Sequence, residues 1–86
     1  MTDAELTTFL NGAFVPYARG FAADPGAVRL AVVCTPYQVE ATLTFAKADF
    51  DVIHQGAHTD VDIGRAFRVL VSWNDERAPS LEIVSG

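Results

Sequence analysis

With 86 residues the chain has the length of one domain, able to bury roughly 60–65% of its unfolded surface, which gives one modest core and no deep cleft between lobes. Its 11 acids against 6 Lys and Arg leave a formal net charge of −5, which argues against nucleic-acid binding, since that affinity rests on clustered Lys and Arg. One cysteine excludes an internal disulfide and points to a reducing compartment, and no apolar run approaches the roughly 20 residues a membrane helix needs.

In chain order, Thr2-Asp3-Ala4-Glu5 has the pattern of a capped helix start, with Thr2 as cap and Glu5 closing the capping box. Asp3 and Glu5, with no basic flank, are not a signal peptide, so a cytoplasmic location is expected. Leu6, Phe9, Leu10 and Ala13 recur at helical spacing and make one apolar stripe. The spacing predicts a helix over 3–14. A bent continuation to Arg19 would have to pass Pro16, which cannot donate to the carbonyl of Gly12. Phe14, Tyr17 and Phe21 are expected to dock this helix on a sheet.

Asp24-Pro25-Gly26 is a turn sequence. Residues 27–34 then read as a strand, with Val28, Leu30, Val32 and Cys34 on one face. Thr35-Pro36-Tyr37-Gln38 satisfies two templates, a hairpin turn and a helix start with Pro36 at its first position. The residues after it are equally double. Val39, Ala41, Leu43 and Phe45 alternate, whereas Val39, Leu43, Ala46 and Phe50 have helical spacing. The β-branched Thr42 and Thr44 favour a strand over 39–47. A connection with one helical turn near Asp49–Ile53 follows. Strands are then expected at 59–63, 66–73 and 81–84, with Gly64-Arg65 as a tight turn and 74–79 as a polar loop. The run Phe67, Val69, Val71, Trp73 holds the only tryptophan and alternates cleanly, so it reads as the buried spine of the sheet. The expected fold class is α+β. An N-terminal helix packs on a mostly antiparallel meander of about five strands, closed as a small barrel or left as a half-open sandwich.

Candidate sites are few. His54 and His58 are four apart, with Asp49, Asp51, Asp60 and Asp62 nearby, a set able to gather a cation if the segment folds suitably; Gly56 between the histidines points to a loop, and no metal is expected. Cys34 is in phase with the apolar residues of its strand and reads as a buried thiol, not a nucleophile. No phosphate loop, nucleophile elbow or paired-cysteine motif occurs, so neither a cofactor nor catalysis is expected. Four acids and no Lys or Arg lie between Lys47 and Arg65. With Asp75 and Glu76 they define the expected partner-contact residues: Asp49, Asp51, Asp60, Asp62, Asp75 and Glu76. Arg65 and Arg68 make a local basic spot, or else Arg68 pairs with Asp62 across the hairpin.

Ala48-Asp49-Phe50, Gly56, Val61-Asp62-Ile63-Gly64, Phe67-Arg68-Val69 and Leu81-Glu82-Ile83, following a helix and two strands, form a pattern that resembles the small head–tail joining (neck) proteins of long-tailed bacteriophages. It covers roughly the last fifty residues, and Val28–Pro36 aligns with the family's first strand. The resemblance implies a small β-barrel without catalysis that assembles as a ring between portal and tail proteins. A ring subunit needs its exposed strand edges paired or guarded. The expected function is therefore a non-enzymatic structural or interaction protein, concretely a connector of a phage-like particle, with protein partners and ring-forming self-association. The alternative is a small acidic inhibitor or antitoxin-like module that covers a basic site by charge mimicry.

Overall fold

The structure is a computed structural model, and it describes residues 1–56 and 59–86. Among these, the order of elements is α1 (Asp3–Arg19), a 3-10 turn (Pro25–Ala27), β1 (Arg29–Cys34), β2 (Gln38–Phe45), α2 (Lys47–Gln55), α3 (Thr59–Asn74) and β3 (Ala78–Ser85). The three strands form one sheet in the order β1-β2-β3. β1 and β2 are an antiparallel hairpin, and β3 returns parallel to β2 after the α2–α3 crossover.

α1 starts as its sequence dictates. The Thr2 hydroxyl accepts from the Glu5 amide at 3.1 Å, and the Glu5 carboxylate accepts from the Thr2 amide at 3.0 Å. That bond from Thr2 holds the Glu5 carboxyl below the usual range. The helix passes Pro16 without stopping and reaches Arg19, so the longer of the two expected extents is the one adopted. Leu6, Leu10, Phe14 and Ala18 are buried along one stripe. Phe14 meets Phe67 of α3 edge-on, with ring centroids 5.3 Å apart.

The hairpin turn is built by Thr35. Its amide donates to the Gln38 carbonyl at 2.8 Å, and its hydroxyl accepts from the Tyr37 and Gln38 amides. The turn template thus prevails over the helix start, and Val39, Ala41, Leu43 and Phe45 are all buried along β2, as their alternation requires. β1 repeats the pattern more weakly, with Leu30, Val32 and Cys34 half-buried because the strand is at an edge.

The second half departs from expectation. The strands expected at 59–63 and 66–73, and the tight turn at Gly64-Arg65 between them, are a single helix, α3. The meander of about five strands, barrel or sandwich, is instead a mixed open sheet of three strands. The physical reason lies in the two periods. Residues four apart share a face both in a strand, after two full alternations, and in a helix, after one turn. Ile63, Phe67 and Val71 therefore satisfy both templates, and all three are buried. The residues that distinguish the templates are Val69 and Trp73, which are exposed, and Ala66 and Leu70, which pack against the core. Helical burial on a neighbouring sheet outweighs the modest strand preference of this β-branched run. The helical turn expected near Asp49–Ile53 is likewise extended into the full helix α2.

All three helices lie in the core with one face of the sheet: Leu6, Leu10 and Phe14 of α1, Ile53 of α2, and Ile63, Phe67 and Val71 of α3 join the β2 side chains in one cluster. Each such side chain contributes roughly 1.5–3 kcal/mol on burial. The other sheet face carries the alternate residues, among them Ala31, Val33, Glu40, Thr42, Ser80 and Glu82, which line a shallow groove. The radius of gyration of 12.4 Å matches the roughly 12 Å expected for one compact domain of this length.

Candidate functional site

The expected contact acids do not form one patch. Asp49 is buried in the first turn of α2, where its two oxygens accept from the Ala23 and Asp24 amides, each at 3.0 Å. It pins the 20–26 loop and is unavailable to a partner. Asp51 pairs with Lys47 one turn before it at 3.2 Å, with both side chains largely in water, a geometry that contributes little. Asp60 accepts from the neighbouring Val61 amide in the first turn of α3, and Asp62 is exposed beside it. Asp75 and Glu76 follow the far end of α3, separated from Asp60 by the roughly 24 Å length of that helix. Glu76 is exposed, but Asp75 is nearly enclosed. Of the expected acids, Asp49 and Asp75 are therefore structural.

Asp75 belongs to a polar node that the sequence pattern did not single out. Arg77 donates to both Asp75 oxygens, at 2.9 and 2.8 Å, and to the Asp3 carboxylate at 2.9 Å. A further bond runs from Arg77 to the Thr35 carbonyl at 3.2 Å. One guanidinium thus ties the start of α1, the β1–β2 turn and the α3–β3 connection. The side-chain and backbone bonds from Arg77 hold the Asp75 carboxyl down to about 2, while Asp75 and then Asp3 raise the Arg77 pKa above its ordinary value. The detectable signal was an acid and an arginine two residues apart directly after an amphipathic run, which in isolation reads only as a polar loop.

Cys34 is half-buried near this node. Burial pushes its thiol pKa up, and the Asp3 carboxylate adds to the effect against the opposing charge of Arg77. A thiol held protonated is a poor nucleophile. His54 lies on α2 with its ring 4.1 Å from that of Phe50. His58, and with it the expected His54–His58 pair, lies outside the described residues. Among the described residues no group of three or more His, Cys, Asp or Glu is placed to hold a metal. Arg68 is on the same helix as Asp62 and donates to the Gly64 carbonyl at 3.4 Å, so the expected cross-hairpin pair is replaced by a contact within α3.

The same end of the molecule presents large rings to solvent. Trp73, in the last turn of α3, is 78% exposed, and Tyr37, in the hairpin turn, is 82% exposed. The Tyr37 carbonyl accepts from the Ala78 amide at 3.0 Å, so the segment following Trp73 runs alongside the Tyr37 turn. Val69 and Val61, at four-residue steps before Trp73, are also exposed, and with Arg65 they continue the line along α3. Of the aromatics expected to dock α1, Phe14 is buried, whereas Tyr17 and Phe21 stack edge-on at 5.2 Å and are partly exposed. No helix of the described residues is long and apolar enough to cross a membrane. No protein-family model, curated protein or solved structure matches the chain.

Proposed function

We propose that this chain is a non-enzymatic structural and interaction protein that engages a protein partner through the end of the fold carrying Trp73 and Tyr37. The observation that carries this reading is the exposure of Trp73, a ring large enough to dominate a core and left in water instead. Tryptophan and tyrosine are the residues most enriched among interface hot spots, and their rigid rings lose little entropy on docking. The Arg77 node supports the reading, because it fixes the turn and the connection that flank both rings. Val69, Arg65 and Val61 extend the contact along α3 with a mixture of apolar and cationic groups.

The most concrete setting for such a module is the neck of a phage-like particle, with portal and tail proteins as partners, and its support is the residue pattern that resembles those joining proteins. The domain itself is a helix-covered open sheet and not the small barrel that the resemblance implies, and the exposed rings mark its contact surface. The test is affinity capture from the native host with wild type, Trp73→Ala and the triple variant Asp60→Asn, Asp62→Asn, Glu76→Gln, at low and high salt. The expected result is recovery of portal, tail-tube or capsid proteins, lost by about tenfold or more on Trp73→Ala and retained in high salt. A salt-sensitive basic partner that ignores Trp73→Ala and is lost from the triple variant would replace this reading by charge mimicry.

A further inference from the structure

We infer that the free edge of β1 pairs two copies of this chain into a dimer with one continuous six-stranded sheet. The register of β1 on β2 decides which backbone groups are available. Thr35 donates to the Gln38 carbonyl, and Val33, Ala31 and Arg29 follow as its in-phase partners opposite Glu40, Thr42 and Thr44. In an antiparallel ladder the two strands exchange bonds at alternate residues. The amides and carbonyls of Leu30, Val32 and Cys34 therefore point out of the sheet, and among the described residues nothing bonds to them. Their side chains face the core and remain only half-buried.

The two edges of the sheet are unequal. β3 carries Pro79, which offers no donor, and the charged Glu82, both ordinary guards against strand addition. β1, Arg29-Leu30-Ala31-Val32-Val33-Cys34, has no proline and no acid, and its single charge is at its first residue. Val33, on the solvent face of the strand, is 61% exposed. This is an unguarded apolar edge of the kind soluble proteins keep only when it is covered.

The occupant that fits is a second copy. With a twofold axis at Val32, Val32 faces its own equivalent and Leu30 faces Cys34, so the outward groups meet in about six mutual hydrogen bonds. Ala31 then lies opposite Val33 on the solvent face, and Arg29 lies opposite Thr35. The two Arg29 side chains are at opposite ends of the seam, roughly 20 Å apart. In a chain of net charge −5, this is a strand on which two copies meet without opposing any like charges. An isologous contact of this kind closes on itself.

This dimer is independent of the partner surface proposed above, and its readout differs. Sedimentation equilibrium of the intact chain at about 5–500 μM should give twice the 9.3 kDa chain mass at the upper end. Amide exchange at Leu30, Val32 and Cys34 should slow with rising concentration, while exchange in β2 should not change. Val32→Pro removes the outward-facing donor at the twofold axis, breaks no bond to β2 and trims one half-buried side chain, so it should restore the monomer with the far-ultraviolet spectrum retained. A second variant, Ala31→Cys with Val33→Cys in a Cys34→Ser background, should oxidise to a disulfide-linked dimer. A monomer throughout the concentration range, or a chain-to-chain disulfide absent from the paired-cysteine variant, would overturn the inference whatever Val32→Pro does. Neither result touches the Trp73 capture experiment.

Discussion

At the scale of single residues, the informative positions are those where one side chain holds several backbone groups. Asp49 accepts from both the Ala23 and Asp24 amides from a buried position. Asp49→Ala removes the acceptor of both amides, which belong to exposed residues and can turn to water, so it should cost about 1–3 kcal/mol. Urea denaturation would measure it, and a loss below about 0.5 kcal/mol would refute the pinning role. Gly12 is the opposite case. It lies inside α1, its Cβ position meets nothing within 4 Å, and it needs no left-handed backbone. Gly12→Ala should stabilise by roughly 0.5–1 kcal/mol through helix propensity. Asp75 provides the pH dependence. Its carboxyl titrates near 2 in the folded chain and near 3.9 when unfolded, so the unfolded state binds the proton first. The resulting stabilisation is complete above about pH 5 and is lost as pH falls through about 2. Asp75→Asn should lower the melting temperature at neutral pH and flatten its decline between about pH 4 and 2. Parallel melting curves for the two proteins would show that the node does not act through this charge.

At the scale of elements, α3 carries the main lesson. Ile63, Phe67 and Val71 are on the buried stripe, and Val69 and Trp73 are on the exposed one. Phe67→Ala should therefore cost about 3–5 kcal/mol, enough to unfold a marginal domain of this size. Trp73→Ala should leave the melting temperature within about 2 °C of wild type, as exposed substitutions usually do. Had the stretch been the expected strand, both substitutions would damage a core face, so thermal melts of this pair separate the two structures. The hairpin shows a segment in which local chemistry tipped the balance between two templates. Thr35 and Pro36 build the turn, and the threonines at 42 and 44 keep to the solvent face of β2 while Leu43 and Phe45 enter the core.

For the whole molecule, the arrangement is one helical layer on one face of a short mixed sheet, with the other face and the β1 edge left free. Roughly half the described residues are helical, so the far-ultraviolet circular dichroism spectrum should show the paired helical minima instead of the single minimum of a five-stranded meander. The charge distribution follows the same plan. Asp49 and Asp75 are drawn inside by their bonds, Asp51 pairs with Lys47 on α2, and Asp60 and Asp62 stand at the opposite end of α3 from Glu76. The expected contact acids are therefore dispersed, and the aromatic end becomes the more distinct surface.

The capping box at Thr2 and Glu5 and the alternation along β1 were legible in the residues because each is a local matter of a few bonds or of one repeated face, whereas the turn at Thr35 and the strand after it fitted two templates and were decided only by the β-branched Thr42 and Thr44. The sequence by itself determined the α+β class and the N-terminal helix, and it favoured the hairpin without excluding a helix in its place. Only the tertiary structure decided α3, because Ile63, Phe67 and Val71 fit strand and helix equally until a sheet is present to be covered. It alone also brought Arg77 to Asp3 and Thr35, contacts between segments far apart in the chain. And it placed Trp73 in solvent, since whether a ring is buried depends on what stands opposite it in space, which no periodicity along the chain encodes.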